Sequence, residues 1–249
     1  MQNIERRNSV AGRKNADSAS SNVFIREGEL LAKTITNEDE KIKAHRLRYR
    51  IFCEELKWVP KNQDLQEKDA YDESAVSFGV FDKHGDLKSY IRLVTSDNCF
   101  MLEKEFPFLL GNSRLRKEQD TVEASRLCVA PEARTDIFSG NFGFHTCTML
   151  LYKAFYHWCL LNRKQYVYMV VEQKILRLLC MSGFPWRMIG EPKTMSDGVV
   201  AVAAIQDLRE FETQNTAKRV KQTAWFSQRQ SNLPTWQVPR REIYSRRQA

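Results

Sequence analysis

The chain lacks any apolar run long enough to cross a bilayer. Its greasiest segment, residues 147–161, is broken by Lys153 and His157 and falls short of the roughly twenty residues a membrane helix requires. The first 22 residues contain no hydrophobic stretch, so no secretory signal peptide is expected there. The six cysteines, at 53, 99, 128, 147, 159 and 180, form no C-x-x-C pair. Most lie among apolar neighbours, as reduced core thiols do. His145/Cys147 and His157/Cys159 stand two residues apart, a spacing that does not put both side chains on one helix face, so no metal site is expected. There are no internal repeats. These absences predict a soluble, cytoplasmic protein in a reducing compartment, with no metal.

What the chain has is a core and two charged tails. Of its 249 residues, 42% are hydrophobic, which excludes global disorder. The formal charge of +8 is unevenly placed: residues 1–22 carry net +2, residues 218–249 net +7, and the body net −1. The basic character belongs to the tails and says nothing about the chemistry of the core. The reading is a polar, disordered tail at 1–22, one domain at 23–217, and a basic C-terminal extension at 218–249.

Within the body, Glu40 to Leu56 carries a helical pattern, with Leu47, Ile51 and Leu56 on one stripe and Arg48 and Phe52 on the next. Residues 57–75 are charged and irregular. "VSFGVF" (76–81) and "SYIRLV" (89–94) predict a hairpin, and residues 107–120 a polar loop. "TVEASRLCVA" (121–130) predicts a central strand, and 143–161 a long apolar helix. A strand over 165–171, a helix over 173–183 closed by Gly183, and a final strand over 198–205 follow. This order predicts an α/β fold with a single mixed sheet.

The segment "QEKDAYDES" (66–74) gathers Glu67, Asp69, Asp72 and Glu73 beside Trp58 and Tyr71. Such a cluster is either a salt-bridged surface loop or a place that recognises a cation by Coulomb attraction and cation–π contact. Acids this close repel one another, so Arg48 and Arg92 are expected to pair with some of them and hold the loop in shape.

The spacing Arg48, Phe52, Trp58, Glu67, Asp69, Asp72 resembles that of the acyl-homoserine lactone synthases, the quorum-sensing autoinducer synthases. Arg92 in "YIRL", Phe106 in "FMLEKEF", Glu123 and Arg126 in "VEASRLCV", and the helix "ILRLLCMSGF" continue the likeness over residues 40 to 208. The resemblance implies a GNAT-type acyltransferase fold: a mixed, mostly antiparallel sheet flanked by helices. It also implies transfer of a fatty acyl group from an acyl carrier protein to the amine of S-adenosylmethionine (SAM), with lactonisation. SAM and the carrier's phosphopantetheine thioester are substrates, and no further cofactor is implied.

Under this resemblance Glu123 is the candidate general base, and Arg126 orients it or a substrate carboxylate. Backbone N–H groups where the central strands diverge would stabilise the oxyanion. Arg48, Phe52, Trp58, Glu67, Asp69, Asp72, Arg92 and Phe106 would form the amine-substrate site. Phe142, Phe144, Met149, Met169 and Val171 would line the acyl pocket, though they read equally well as core. The loop "SGNFGF" (139–144) lacks the R-x-x-G-x-G/A cradle of acetyl-CoA enzymes, whose backbone N–H groups hold a pyrophosphate; a carrier-bound donor fits better than coenzyme A.

The long-chain N-acyl amino acid synthases, with the same fold and donor but a free amino acid as acceptor, are an alternative that "RYRIFCEE" matches as well. The basic extension, with Trp225, Phe226, Trp236 and Tyr244, suits nucleic acid in composition. It reads better as a docking aid for an acidic carrier.

Overall fold

The computed structural model describes residues 22–140, 143–215 and 219–228. Nearly all of the expected N-terminal tail, and the extension beyond residue 228 with Trp236, lie outside the described residues. Strands β1 (Phe24–Glu27) and β2 (Leu30–Thr34) open the fold as a hairpin for which the sequence pattern predicts no element. Helix α1 (Glu38–Arg48) starts where Asn37 accepts the Glu40 N–H at 2.9 Å, with three acids in its first turn. It runs on into a wider π-helical turn, Tyr49–Glu55, in which the Leu56 N–H reaches back five residues to the Ile51 carbonyl.

Strands β3 (Ala75–Phe81) and β4 (Leu87–Thr95) form the expected hairpin. A short helix α2 (Met101–Lys104) leads to β5 (Thr121–Val129). Strands β6 (Ile137–Gly140) and β7 (Gly143–Thr146) make a separate hairpin. Helix α3 (Cys147–Leu161) therefore begins four residues later than the expected 143. The reason is local: 143–146 is spent on the β7 ladder, and Thr146 caps the helix by accepting the Met149 N–H. Strand β8 (Tyr166–Glu172), α4 (Gln173–Met181), β9 (Trp186–Thr194), β10 (Val200–Asp207), α5 (Leu208–Asn215) and α6 (Val220–Ser227) complete the chain. Gly183, at φ +92°, ends α4 as expected, and the Phe184 N–H bonds back to the Leu179 carbonyl.

Eight strands form a sheet in the order β1-β2-β3-β4-β5-β8-β10-β9. Among the described strands, β5 and β8 are the pair that runs parallel; the other neighbours are antiparallel. The mixed, mostly antiparallel α/β sheet is the expected fold class. Helix α3 is apolar on nearly every side, and eleven of its fifteen residues are buried. It covers one face, where Trp158 packs edge-on to Phe78. Helix α1 lies on the other face, over Tyr90 and Arg92. Among the described residues no helix is long and apolar enough to cross a membrane.

The packed body runs past residue 217. Helix α6 falls in the segment read as a basic extension, yet Trp225 and Phe226 are fully buried. The Trp225 Nε1–H donates to Glu27 Oε1 at 2.9 Å, and the same oxygen takes the buried Lys153 ammonium at 2.9 Å. His145 stacks on the Trp225 ring at 3.8 Å, and His157 Nε2–H donates to the Phe226 carbonyl.

Candidate active site

Three features of the fold converge on one place. The π-helical turn carries Phe52 beside the end of α1. The loop 57–71 returns over it, tied by the Glu67 N–H to the His45 carbonyl at 3.0 Å. Opposite Ile91, β5 bulges: pairing steps from Tyr90/Cys128 to Arg92/Ser125, and Arg126 sits at φ +55°. A bulge turns neighbouring side chains toward one face. Here Ser125 Oγ accepts from Arg92 Nε at 3.1 Å while the Arg126 guanidinium reaches the loop acids. A left-handed conformation at a non-glycine residue costs on the order of 1–3 kcal/mol and persists where its surroundings hold it.

Those surroundings are a closed lattice of three arginines and three acids. Arg48 Nε bonds Glu67 Oε2 at 2.5 Å and its Nη1 bonds Asp72 Oδ1 at 2.6 Å. Arg92 grips both oxygens of Asp69, one at 2.9 Å, and also Asp72 Oδ1 at 2.7 Å. Arg126 donates twice to Glu67 Oε1, at 3.1 and 3.0 Å, and approaches Asp69 at 2.8 Å. Each guanidinium also lies over an aromatic ring: Arg48 over Tyr90, Arg92 over Tyr71 and Arg126 over Phe52, at 5.5–5.6 Å.

Arg48, Arg92 and Glu67 are almost wholly inaccessible. Burial alone would raise the Asp72 pKa, but the bonds and charge of Arg48, with Arg92, hold it at about 2. Three of the four acids that raised the question of cation recognition, Glu67, Asp69 and Asp72, are thus neutralised within the protein, while Glu73 stays exposed outside the lattice. The three brace the loop and, under it, the buried Phe52, on which the exposed ring of Trp58 rests. Trp58 stacks on Phe52 at 6.1 Å, is half-exposed, and donates its Nε1–H to Asp197 at 2.8 Å.

Glu123 stands apart from this lattice. It faces α2, where its oxygens accept the N–H groups of Met101 at 2.6 Å and Leu102 at 2.8 Å. Burial lifts its pKa to about 7 against the pull of those bonds and of Arg92. Arg126 does not hold Glu123; its partners are Glu67 and Asp69. The side chains connect through Met101, whose N–H meets Glu123 and whose sulfur lies 3.4 Å from Arg92 and 3.7 Å from Arg126. Cys128, with its thiol pushed up to about 12 by burial, is a core residue.

Glu123 also stands near the end of a strand ladder. Pairing of β5 with β8 runs from Thr121/Tyr166 to Ala124/Met169 and then stops. Beyond Ala124 the two strands no longer pair, one residue past the buried Glu123. Met169 is buried and Val171 half-buried on β8, and Met149 is half-buried on α3. Phe142 lies outside the described residues, and Phe144 is described as a backbone position in β7 paired with Ser139. Phe106 follows α2, half-buried and edge-on to Phe108 at 6.2 Å.

Sequence reasoning missed Met101, Ser125 and Asp197. Asp197 has no local signal, since the β9–β10 turn reaches Trp58 across 139 residues of chain.

Comparison with known proteins identifies the family and the fold. The family model described as Autoinducer synthase matches residues 33–214. The acyl-homoserine-lactone synthase of Rhizobium radiobacter is 28% identical over 172 residues, covering 68% of this chain and 79% of that protein. Among solved structures, BjaI, a CoA-dependent acyl-homoserine lactone synthase in complex with SAM and isopentyl-CoA, superposes with a TM-score of 0.61 at 22% identity, over 76% of this chain and 92% of that one. FeeM, an N-acyl amino acid synthase from uncultured soil microbes, gives 0.55 at 16% identity, over 74% and 93%. At these identities the two structures speak for the fold.

Proposed function

The chain belongs to the autoinducer synthase family, an acyltransferase family, and from that premise we propose that it acylates the amine of SAM from an acyl carrier protein and closes the product to an acyl-homoserine lactone. The observation that carries the reading is Glu123, a buried carboxyl poised at about 7 where β5 and β8 part. A base with that pKa is half-ionised near neutrality and suits removal of a proton from an ammonium group. Its engagement by Met101 and Leu102 favours a relay through water, and it fixes α2, which leads to Phe106.

The amine nitrogen bonds to the thioester carbon, the carbon–sulfur bond breaks, and the pantetheine thiol leaves with a proton. The backbone groups of β5 left without a ladder partner beyond Ala124 are suited to the oxyanion. The SAM carboxylate then attacks its own γ-carbon, the bond to the sulfonium breaks, and neutral methylthioadenosine leaves. Trp58, half-exposed and stacked on Phe52 beside the arginine–acid lattice, offers a ring face to the sulfonium. Met149, Met169 and Val171 would contact the acyl chain.

The test is product identification. Purified protein supplied with acyl-carrier thioesters and SAM should release methylthioadenosine and an acyl-homoserine lactone, read by mass. Exclusive formation of an acyl amino acid when amino acids are present would assign the acceptor as a free amino acid. Faster turnover with acyl-CoA than with the acyl carrier would overturn the donor.

A further inference from the structure

We propose that an acidic carrier protein docks on a basic cleft formed by α1 and the start of β4, beside the end of β5 that no longer pairs with β8. This inference rests on the carrier-bound donor proposed above and adds where the carrier stands. Lys43, Arg46 and Arg50 are exposed at i, i+3 and i+7, so they line one side of α1 and its π-helical continuation. With Leu47, Asp86, Leu87, Lys88, Ala130 and Glu132 they enclose a cleft of about 310 Å³.

Its positive charge is not cancelled internally. Arg50 pairs with Glu132 at 2.9 Å, and Lys88 with Asp82 at 2.9 Å. Lys43 donates to the neutral Gly85 carbonyl at 2.6 Å, and neither it nor Arg46 has an ion pair among the described residues. Against these two exposed cations the lining sets one further acid, Asp86, so a surplus of positive charge remains for an outside partner.

The position matters as much as the sign. Ala130, in the wall of the cleft, follows the last residue of β5 and donates its N–H to the Lys88 carbonyl at 2.8 Å. This is the end of β5 that has left its pairing with β8, which stops at Ala124. A donor whose arm passes between the two strands there must have its protein body outside this end. The neighbouring cleft, bounded by the β1–β2 and β3–β4 turns and the β6 strand, has the wrong balance: Glu27, Glu29, Asp82 and Asp136 face Lys83, Lys88 and His84. An acidic surface is drawn to the α1 side. Such complementarity acts mainly on encounter and orientation.

The double charge reversal K43E/R46E tests this, since neither residue belongs to the catalytic machinery. With an acyl carrier as donor, the variant's apparent KM should rise on the order of ten-fold at low salt, with kcat little changed. The difference should shrink as salt shortens the Debye length from about 10 Å at 0.1 M to about 3 Å at 1 M. With acyl-pantetheine, which lacks the carrier protein, variant and wild type should be indistinguishable, and their melting temperatures should agree. An unchanged KM in an enzyme that turns over the carrier thioester overturns the docking surface. An equal loss with acyl-pantetheine overturns it too, by making the effect one on the fold or the site. If wild type accepts acyl-CoA and refuses the carrier, the donor reading fails instead, and the docking surface with it.

Discussion

Glu123 is the residue whose environment says most about chemistry, because its two measurable consequences run in opposite directions with pH. As the base it must be ionised, so kcat/KM should rise with pH through about 7. Stability should do the reverse. The folded pKa is raised from the ordinary 4.5 to about 7, so between those values the native state holds a proton the unfolded chain has released. The contribution is fully present below about 4.5 and is lost as pH rises through about 7. Glu123→Gln should lower turnover on the order of 10²-fold, flatten the neutral limb of the rate profile and leave a folded protein. A variant with wild-type rate and pH profile would leave Glu123 as the anchor of α2 alone. The lattice gives a second residue-scale expectation. Arg92→Ala takes the bidentate partner from half-buried Asp69 and one of two arginines from Asp72, leaving Arg126 and Arg48 to hold them. It should cost a few kcal/mol by denaturant titration, at most the about 3–5 kcal/mol of a fully broken buried pair. A loss below about 1 kcal/mol would mark the pairs as exposed ones of little worth.

Among the elements, the ones legible in the sequence have a strong period or a strong stop. The β3–β4 hairpin, the body of α3 and the end of α4 at Gly183 fall where alternation, apolar length and a left-handed glycine put them. Hairpin β6–β7 was hidden because four-residue strands offer too little pattern, and β1 and β2 suffer the same brevity. Strand β9, "WRMIGEPKT", is broken by Gly190 and Pro192, which normally argue against a strand. The structure explains the glycine. Gly190 has φ +63°, and a Cβ there would lie 2.0 Å from the Leu109 carbonyl oxygen. The turn Pro107–Leu109, just after Phe106, packs directly on the β9 backbone. Gly190→Ala should therefore cost more than about 1 kcal/mol from the backbone alone, with the clash added; a melting curve matching wild type would refute it. The site was legible to the extent that Arg48, Glu67, Asp69, Asp72 and Arg92 could be named as partners. What the sequence withheld was pairing. Arg126 was set beside Glu123, three positions away, whereas the β5 bulge turns it to Glu67, 59 residues distant.

At the scale of the whole molecule the instructive element is α6, which follows the segment matched by the family model. Eight residues of the segment read as a basic extension place Trp225 and Phe226 against α3 and α5, because an aromatic pair carries more burial energy than the surrounding charges can offset. The docking also serves buried polar groups: Glu27 is shared by Lys153 and the Trp225 Nε1–H, so neither cation nor carboxylate is left alone. Removing the ring leaves a cavity and a bare Lys153–Glu27 pair. Trp225→Ala should thus cost about 3–5 kcal/mol, which for a chain of this size is roughly 10 °C in melting temperature. Deletion after residue 215 should do at least as much. Deletion of 229–249, which removes net +4 and spares α6, should leave the melting temperature in place and act, if the carrier is the donor, on a salt-sensitive association rate. Melting curves of the three proteins separate these two parts of the extension. Equal stability of all three would mean that α6 contributes nothing to the fold, against the burial of Trp225.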